Sequence, residues 1–116
     1  MRDHKSLIAW QKARAVADGV IRTSVRHWSP SAAAVIAQLQ RSSLSVQLNI
    51  AEGHALRSQP QFRYHLRVAY GSAVETIELL ELLRDHRLIP VQEADSMIST
   101  AVESRALLLG QLRRYA

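Results

Sequence analysis

The sequence has no cysteine, three prolines, four glycines and a single phenylalanine among its 116 residues. Without cysteine there is no disulfide framework, no thiol nucleophile and no cysteine-ligated zinc, and a reducing compartment fits. No apolar run approaches the ~20 residues a membrane span requires. The opening "MRDHKSLIAW" also lacks the hydrophobic core of a secretion signal, so a cytoplasmic location is expected. Scarce proline and glycine leave few places for the chain to break. Alternating runs of β-branched residues are missing too, which argues against strands. A chain of this length makes one domain with one core.

What is present is helix-forming sequence, rich in Ala, Leu, Arg, Gln and Glu. Apolar residues recur at the helical period in four stretches. Trp10, Ala13, Ala17, Val20, Ile21, Ser24 and Trp28 share one face, and so do Leu39, Ser43, Val46, Ile50 and Gly53. Phe62, Leu66, Ala69, Ala73, Ile77 and Leu80 form the third stripe, and Ala94, Met97, Ile98, Ala101, Leu108 and Leu112 the fourth. Helices over about 6–28, 32–56, 59–86 and 91–114 follow, with Ser58 as the cap of the third and Pro60 in its first turn. Helices of that length joined by short turns predict an all-α, antiparallel up-down-up-down four-helix bundle in a single domain.

The second stretch carries more than a monomer needs. Opposite its core stripe runs another apolar line, Ala37, Leu44, Leu48, Ala51 and Ala55, bordered by Arg41, Ser45, Asn49 and Glu52. In the third, Val68, Leu79 and Leu82 lie away from the core stripe, near Gly71 and Glu75. A helix apolar on two faces is buried on two sides, and a neighbouring subunit is the simplest second cover. Gly53 and Gly71 each cost about 1 kcal/mol inside a helix, a loss that close backbone approach would offset. Pairing the two helices through the turn near Ser58 sets Arg41 level with Glu75, predicting an ion pair within the chain or across an interface. The expected interface set is therefore Arg41, Leu44, Ser45, Leu48, Asn49, Glu52, Gly53, Gly71 and Glu75.

Charge is unevenly spread. Ten Lys and Arg stand against three Asp and Glu up to Tyr70, and five against seven from Gly71 onward. Thirteen of the fifteen basic residues are Arg, suited to forked contacts with phosphate or carboxylate. Opposite charges on different faces favour a head-to-tail contact of the kind that closes into rings, with an isologous dimer as the alternative. Two basic groups are candidates for nucleic-acid contact: Arg22 and Arg26 with Lys12 on the first helix, and Arg57, Arg63 and Arg67 around the second turn. An ordinary solvated surface is the competing reading of both. No recognition-helix motif is present, so backbone contact is expected over base readout.

Chemistry finds little support. His4, His27, His54, His65 and His86 lack the Glu-x-x-His spacing of a di-iron bundle and read as surface histidines. Ser42, Ser43 and Ser45 have no nucleophile elbow around them, and Gly71-Ser72 is no phosphate loop. No enzyme activity, metal, cofactor or small-molecule substrate is expected.

The run "NIAEG" (Asn49–Gly53), preceded by "QLQRSSLSV" (Gln38–Val46) and followed by "RVAYGSAVE" (Arg67–Glu75), resembles the four-helix-bundle proteins encoded in bacterial 23S rRNA intervening sequences. "LIAWQKA" (Leu7–Ala13) and the "HWSP" turn are similar to the opening of the same family, so the likeness runs from Leu7 to about Ile89. Gln40–Arg41 carries one basic residue where the family usually has two, and Gln47–Leu48 lacks its frequent proline. The resemblance implies a homopentameric bundle. A related branch, the accessory variability protein of diversity-generating retroelements, is a basic pentamer that binds a reverse transcriptase and nucleic acid. The implied partners are thus other copies of the chain, RNA or DNA, and a protein; the rival reading is a scaffold without nucleic-acid affinity.

Overall fold

A computed structural model describes residues 3–115. After a 3-10 turn at His4–Ser6 come four helices, α1 (Ile8–His27), α2 (Ala33–Ala55), α3 (Gln61–Asp85) and α4 (Val91–Arg114), within a few residues of the expected bounds. Each packs on its neighbours in sequence and α4 closes against α1, while the diagonal pairs do not approach. The bundle measures 44 × 21 × 21 Å. Its lower end carries the α2–α3 turn and the first and last described residues, Asp3 and Tyr115; its upper end carries the other two connections.

The helix ends owe little to side-chain caps: none of α1 to α4 has one. Ser58 does not cap α3. Pro60 precedes the first helical residue, and the Phe62 amide bonds the Gln59 carbonyl at 3.2 Å. Between α3 and α4 the chain reverses through Arg87, at φ 57°. The Leu88 amide donates to the Leu83 carbonyl and the Arg87 amide to that of Arg84, the paired bonds of a Schellman cap. Arg87 holds the left-handed position glycine would take more cheaply. Leu88 is carried back onto the core as the compensation.

Two apolar clusters fill the interior. The upper joins Val16, Val20, Ile36, Leu39, Ile77, Leu80, Leu83, Ala94 and Met97. The lower joins Trp10, Ala13, Val46, Ile50, Leu66, Ala69, Ala73 and Leu108. Between them lies a waist of small side chains, Ala13, Val16, Ser43, Val46, Ala73, Thr76, Ala101 and Ser104, enclosing a void of about 10 Å³.

The stripes of α2 and α3 lie where they were expected. That of α1 does so in part: Trp10, Ala13, Ala17, Val20 and Ser24 are buried, but two of its members are not. Val16 and Thr23 are buried, whereas Ile21 and Trp28 face solvent, Trp28 with 61% of its surface exposed. Val25, 80% exposed, joins them at i, i+4 and i+7 in an outward strip. Arg26 turns toward α4, where it meets Glu93, so the strip, rotated well away from it, flanks α2.

Candidate functional site: the α2–α3 seam and its outer face

The polar residues of α2 and α3 meet in a seam running the length of the pair. At the top, Gln38 Nε2 donates to Glu75 Oε2, and Arg41 donates to Gln38 Oε1 at 2.6 Å. The expected Arg41–Glu75 bridge is therefore not made within the chain. Gln38, one turn earlier, lies nearer α3 and stands between them, while Arg41 points outward.

Below, Thr76 Oγ1 sits 2.9 Å from Ser42 Oγ and 2.8 Å from the Ser72 carbonyl. Ser42 in turn donates to the Leu39 carbonyl at 3.2 Å. Ser45 and Ser72 hydroxyls touch at 2.8 Å. Asn49 Nδ2 donates to the Ser45 carbonyl at 2.9 Å and to its hydroxyl at 3.2 Å. Asn49 Oδ1 then accepts from His65 Nδ1 at 2.9 Å, which places the proton on that ring nitrogen. Glu52 Oε2 stands 3.7 Å from the same nitrogen.

Gly53 closes the seam: a Cβ there would lie 3.2 Å from the Cβ of His65. The three interruptions in the α2 repeat thus share one reason. Asn49 bonds His65, Glu52 stands beside the ring, and Gly53 lets its backbone approach.

Ser45, Asn49 and Gly53, expected between subunits, accordingly engage α3 of their own chain. His65 is no surface histidine, with only 13% of its side chain exposed. Gln38, Ser72 and Thr76 also belong to the seam, though the apolar periodicity does not single them out. Their signal is a different one: small polar residues recur at 3–4 residue spacing on the facing sides of two consecutive helices. Among the described residues no buried polar side-chain atom lacks a partner.

Outside the seam, Leu44 and Leu48 are 42% and 51% exposed, and Ala55 and Leu82 also face solvent. Together with Ile21, Val25 and Trp28 they make an apolar surface centred on α2. Arg41 and Glu52 lie exposed on it, and Glu75 is half-buried at its edge. Gly71 is exposed, and a Cβ there would meet nothing within 4 Å. Its own chain makes no demand for glycine at that position.

The basic candidates do not form one patch. Lys12 pairs with Glu103 at 3.1 Å and Arg26 with Glu93 at 2.9 Å. Arg22 stands exposed near the upper end, without a carboxylate partner among the described residues. Arg57, Arg63 and Arg67 lie at the lower end. There Arg57 donates to the His54 carbonyl at 2.8 Å, and Arg63 to the carbonyls of Tyr115 and Leu112 at 3.1 and 3.4 Å. Arg84, bonded to Asp95 and Asp85, has its pKa raised above the usual arginine range by those two hydrogen bonds. Among the described residues no three His, Asp or Glu are grouped to hold a metal, and no helix is long and apolar enough to cross a membrane.

A family model described as 23S rRNA-intervening sequence protein matches residues 5–110, from the 3-10 turn through most of α4. The chain belongs to that family. The matched span takes in every rung of the seam and the whole α2-centred surface of this intervening-sequence protein. A comparison with curated proteins finds no match.

Proposed function

We propose that this intervening-sequence protein is a non-catalytic assembly module. Copies associate side by side through the α2-centred face into a ring, of five by the resemblance, and the ring holds RNA or DNA by the phosphate backbone. One observation carries the assembly: Leu44, Leu48, Ile21, Val25, Trp28 and Leu82 are all exposed, and helical phase turns them outward on α2 and on the flanks of its two neighbours, α1 and α3. A contiguous apolar surface of this kind marks an interaction site. The seam beneath supports it, because buried hydrogen bonds hold α2 and α3 in fixed register and so keep their outer surface in one shape. Arg41, Glu52 and Glu75 along the face supply charges that select a partner's register.

Sedimentation equilibrium or light scattering on the purified protein measures the assembly directly. The expected mass is a multiple of the 13.0 kDa chain, and Leu44→Glu with Leu48→Glu reduces it to one chain while the helical circular dichroism persists. A monomeric wild type at tens of micromolar, or a double variant of unchanged mass, overturns the reading.

The second reading, a scaffold for a protein partner without nucleic-acid affinity, is favoured by the neutralisation of Lys12 and Arg26 by Glu103 and Glu93. Anisotropy titrations with structured RNA and duplex DNA at two salt concentrations decide between them. Phosphate contacts give binding that weakens steeply with salt.

A further inference from the structure

The charge of the chain is sorted along the bundle axis. In the lower half (residues 3–17, 44–73 and 103–115) nine Lys and Arg stand against three Asp and Glu. In the upper half (18–43 and 74–102) five stand against seven. Pairing is partial in both halves, with Lys12 and Arg14 matched in the lower and Arg22, Arg41 and Arg87 without a carboxylate in the upper among the described residues, but the two tips differ. Near the upper end Arg26 bonds Glu93, and Arg84 bonds both Asp95 and Asp85. At the lower end none of Lys5, Arg57, Arg63, Arg67, Arg113 and Arg114 pairs with a carboxylate among the described residues.

These six cations share an end about 21 Å across, while charges are screened only over about 8 Å at physiological salt. They repel one another, and the two carboxylates at that end, Asp3 and Glu52, form no ion pair with them among the described residues. Arg57 and Arg63 also bond carbonyls at the ends of α2 and α4, but the excess of positive charge goes beyond what those contacts use and raises the affinity of that end for anions. Five of the six are arginines, whose planar fork matches a phosphate. Arg57 and Arg114 also flank a groove of about 350 Å³ floored by Ile50, Phe62 and Leu66, which gives the end a concave surface.

We infer that the lower end is the phosphate-binding surface, and that the Arg22–Arg26 region is not. The inference rests on the assembly and nucleic-acid reading above and adds a direction to it. Copies related by rotation and meeting along their sides point the same way along the ring axis. Their lower ends then fall on one side of the ring, giving one basic rim and one acidic rim. A rim with that many arginines per copy fits a long unbroken polyanion, the backbone of a nucleic acid, with each weak contact multiplied by the number of copies.

The test is fluorescence anisotropy with a labelled single-stranded RNA and a duplex DNA at about 50 and 200 mM salt. It compares wild type, a lower-end variant (Arg57→Glu, Arg67→Glu, Arg113→Glu) and an upper-end variant (Arg22→Glu, Arg26→Gln). Light scattering and circular dichroism on each keep loss of assembly or folding apart from loss of binding, and Arg→Gln at the same lower-end positions serves as a milder set. The lower-end reversal is expected to weaken binding about 100-fold or more and to flatten the salt dependence. The upper-end variant stays within about threefold, too small a change for a lost phosphate contact. Wild-type binding that survives the lower-end changes, or that falls equally with the upper-end ones, overturns the inference while leaving nucleic-acid binding standing. Wild type that binds poly-glutamate but neither oligonucleotide overturns both, in favour of an acidic protein partner. Absence of any binding at low salt overturns both outright.

Discussion

Two of the four long seams in this bundle, on opposite sides of it, are built differently. Between α2 and α3 the polar atoms lie inside: Ser42 meets Thr76, Ser45 meets Ser72, and Asn49 meets His65. Between α1 and α4 the interior is small and nearly apolar. Gly19 admits the Met97 side chain, and Ser104 reaches the Ala9 carbonyl at 3.4 Å. Its charges stay outside, in Lys12–Glu103 and the clasp of Arg26 and His27 on Glu93. Apolar filling tolerates sliding, whereas a buried hydrogen bond missed by one turn leaves a donor or acceptor unsatisfied. The seam beneath the proposed assembly face is the one whose register is specified.

The contrast can be broken most sharply at Gly53. Gly53→Val drives a branched side chain against His65, where even a Cβ stands at 3.2 Å; a loss of about 2–3 kcal/mol is expected in urea denaturation. Thr76→Val should cost about 1–2 kcal/mol by stripping the hydroxyl that faces Ser42. The double variant Ser42→Ala, Thr76→Val should lose less than the sum of its parts, and additive losses would show that the two are not coupled. Gly71→Ala sharpens the link between chain and assembly. With open space above it, alanine should raise the stability of the dissociated chain by up to about 1 kcal/mol. If a neighbouring copy packs on Gly71, the same change weakens the assembly, so opposite signs in denaturation and sedimentation are expected. Smallest of all is the exposed Lys12–Glu103 pair between α1 and α4: a double-mutant cycle on the two should return a coupling below about 0.5 kcal/mol.

Much of the fold is legible in the order of the amino acids. Apolar spacing marks four helices to within a few residues, because each helix must bury one face and few breakers interrupt them. It errs only for Ile21 and Trp28 of α1, where two apolar lines run side by side. Ile21, Val25 and Trp28 obey the helical period as well as Val16, Val20 and Thr23 do, and hydrophobicity alone does not tell an inward line from an outward one. The second apolar face of α2 is visible in the sequence, and Leu44 and Leu48 do point away from the chain's own core.

The seam is legible only in part. Asn49, Glu52 and Gly53 stand out against the α2 repeat, but their partner His65 does not, since its role depends on how far α3 is offset from α2. The same offset decides between Gln38 and Arg41 as the partner of Glu75. Charge pairing is the least readable feature. Lys12 and Arg26 find their carboxylates on α4, at the other end of the chain, and no local pattern sets that alignment.

The waist between the two clusters carries a last consequence. At that level the walls are Ala13, Ser43, Ala73, Ala101 and Ser104, and almost no unfilled volume remains. A longer side chain at any of them must wedge neighbouring helices apart, since close-packed interiors have no slack to absorb it. The midpoint therefore works as a caliper, setting the helix spacing above and below it at once. Ala13→Leu, wholly buried at that level, would wedge the helices apart and reshape what the molecule presents to its neighbours. The geometry of the outside is gauged by a handful of methyl and hydroxymethyl groups at the centre.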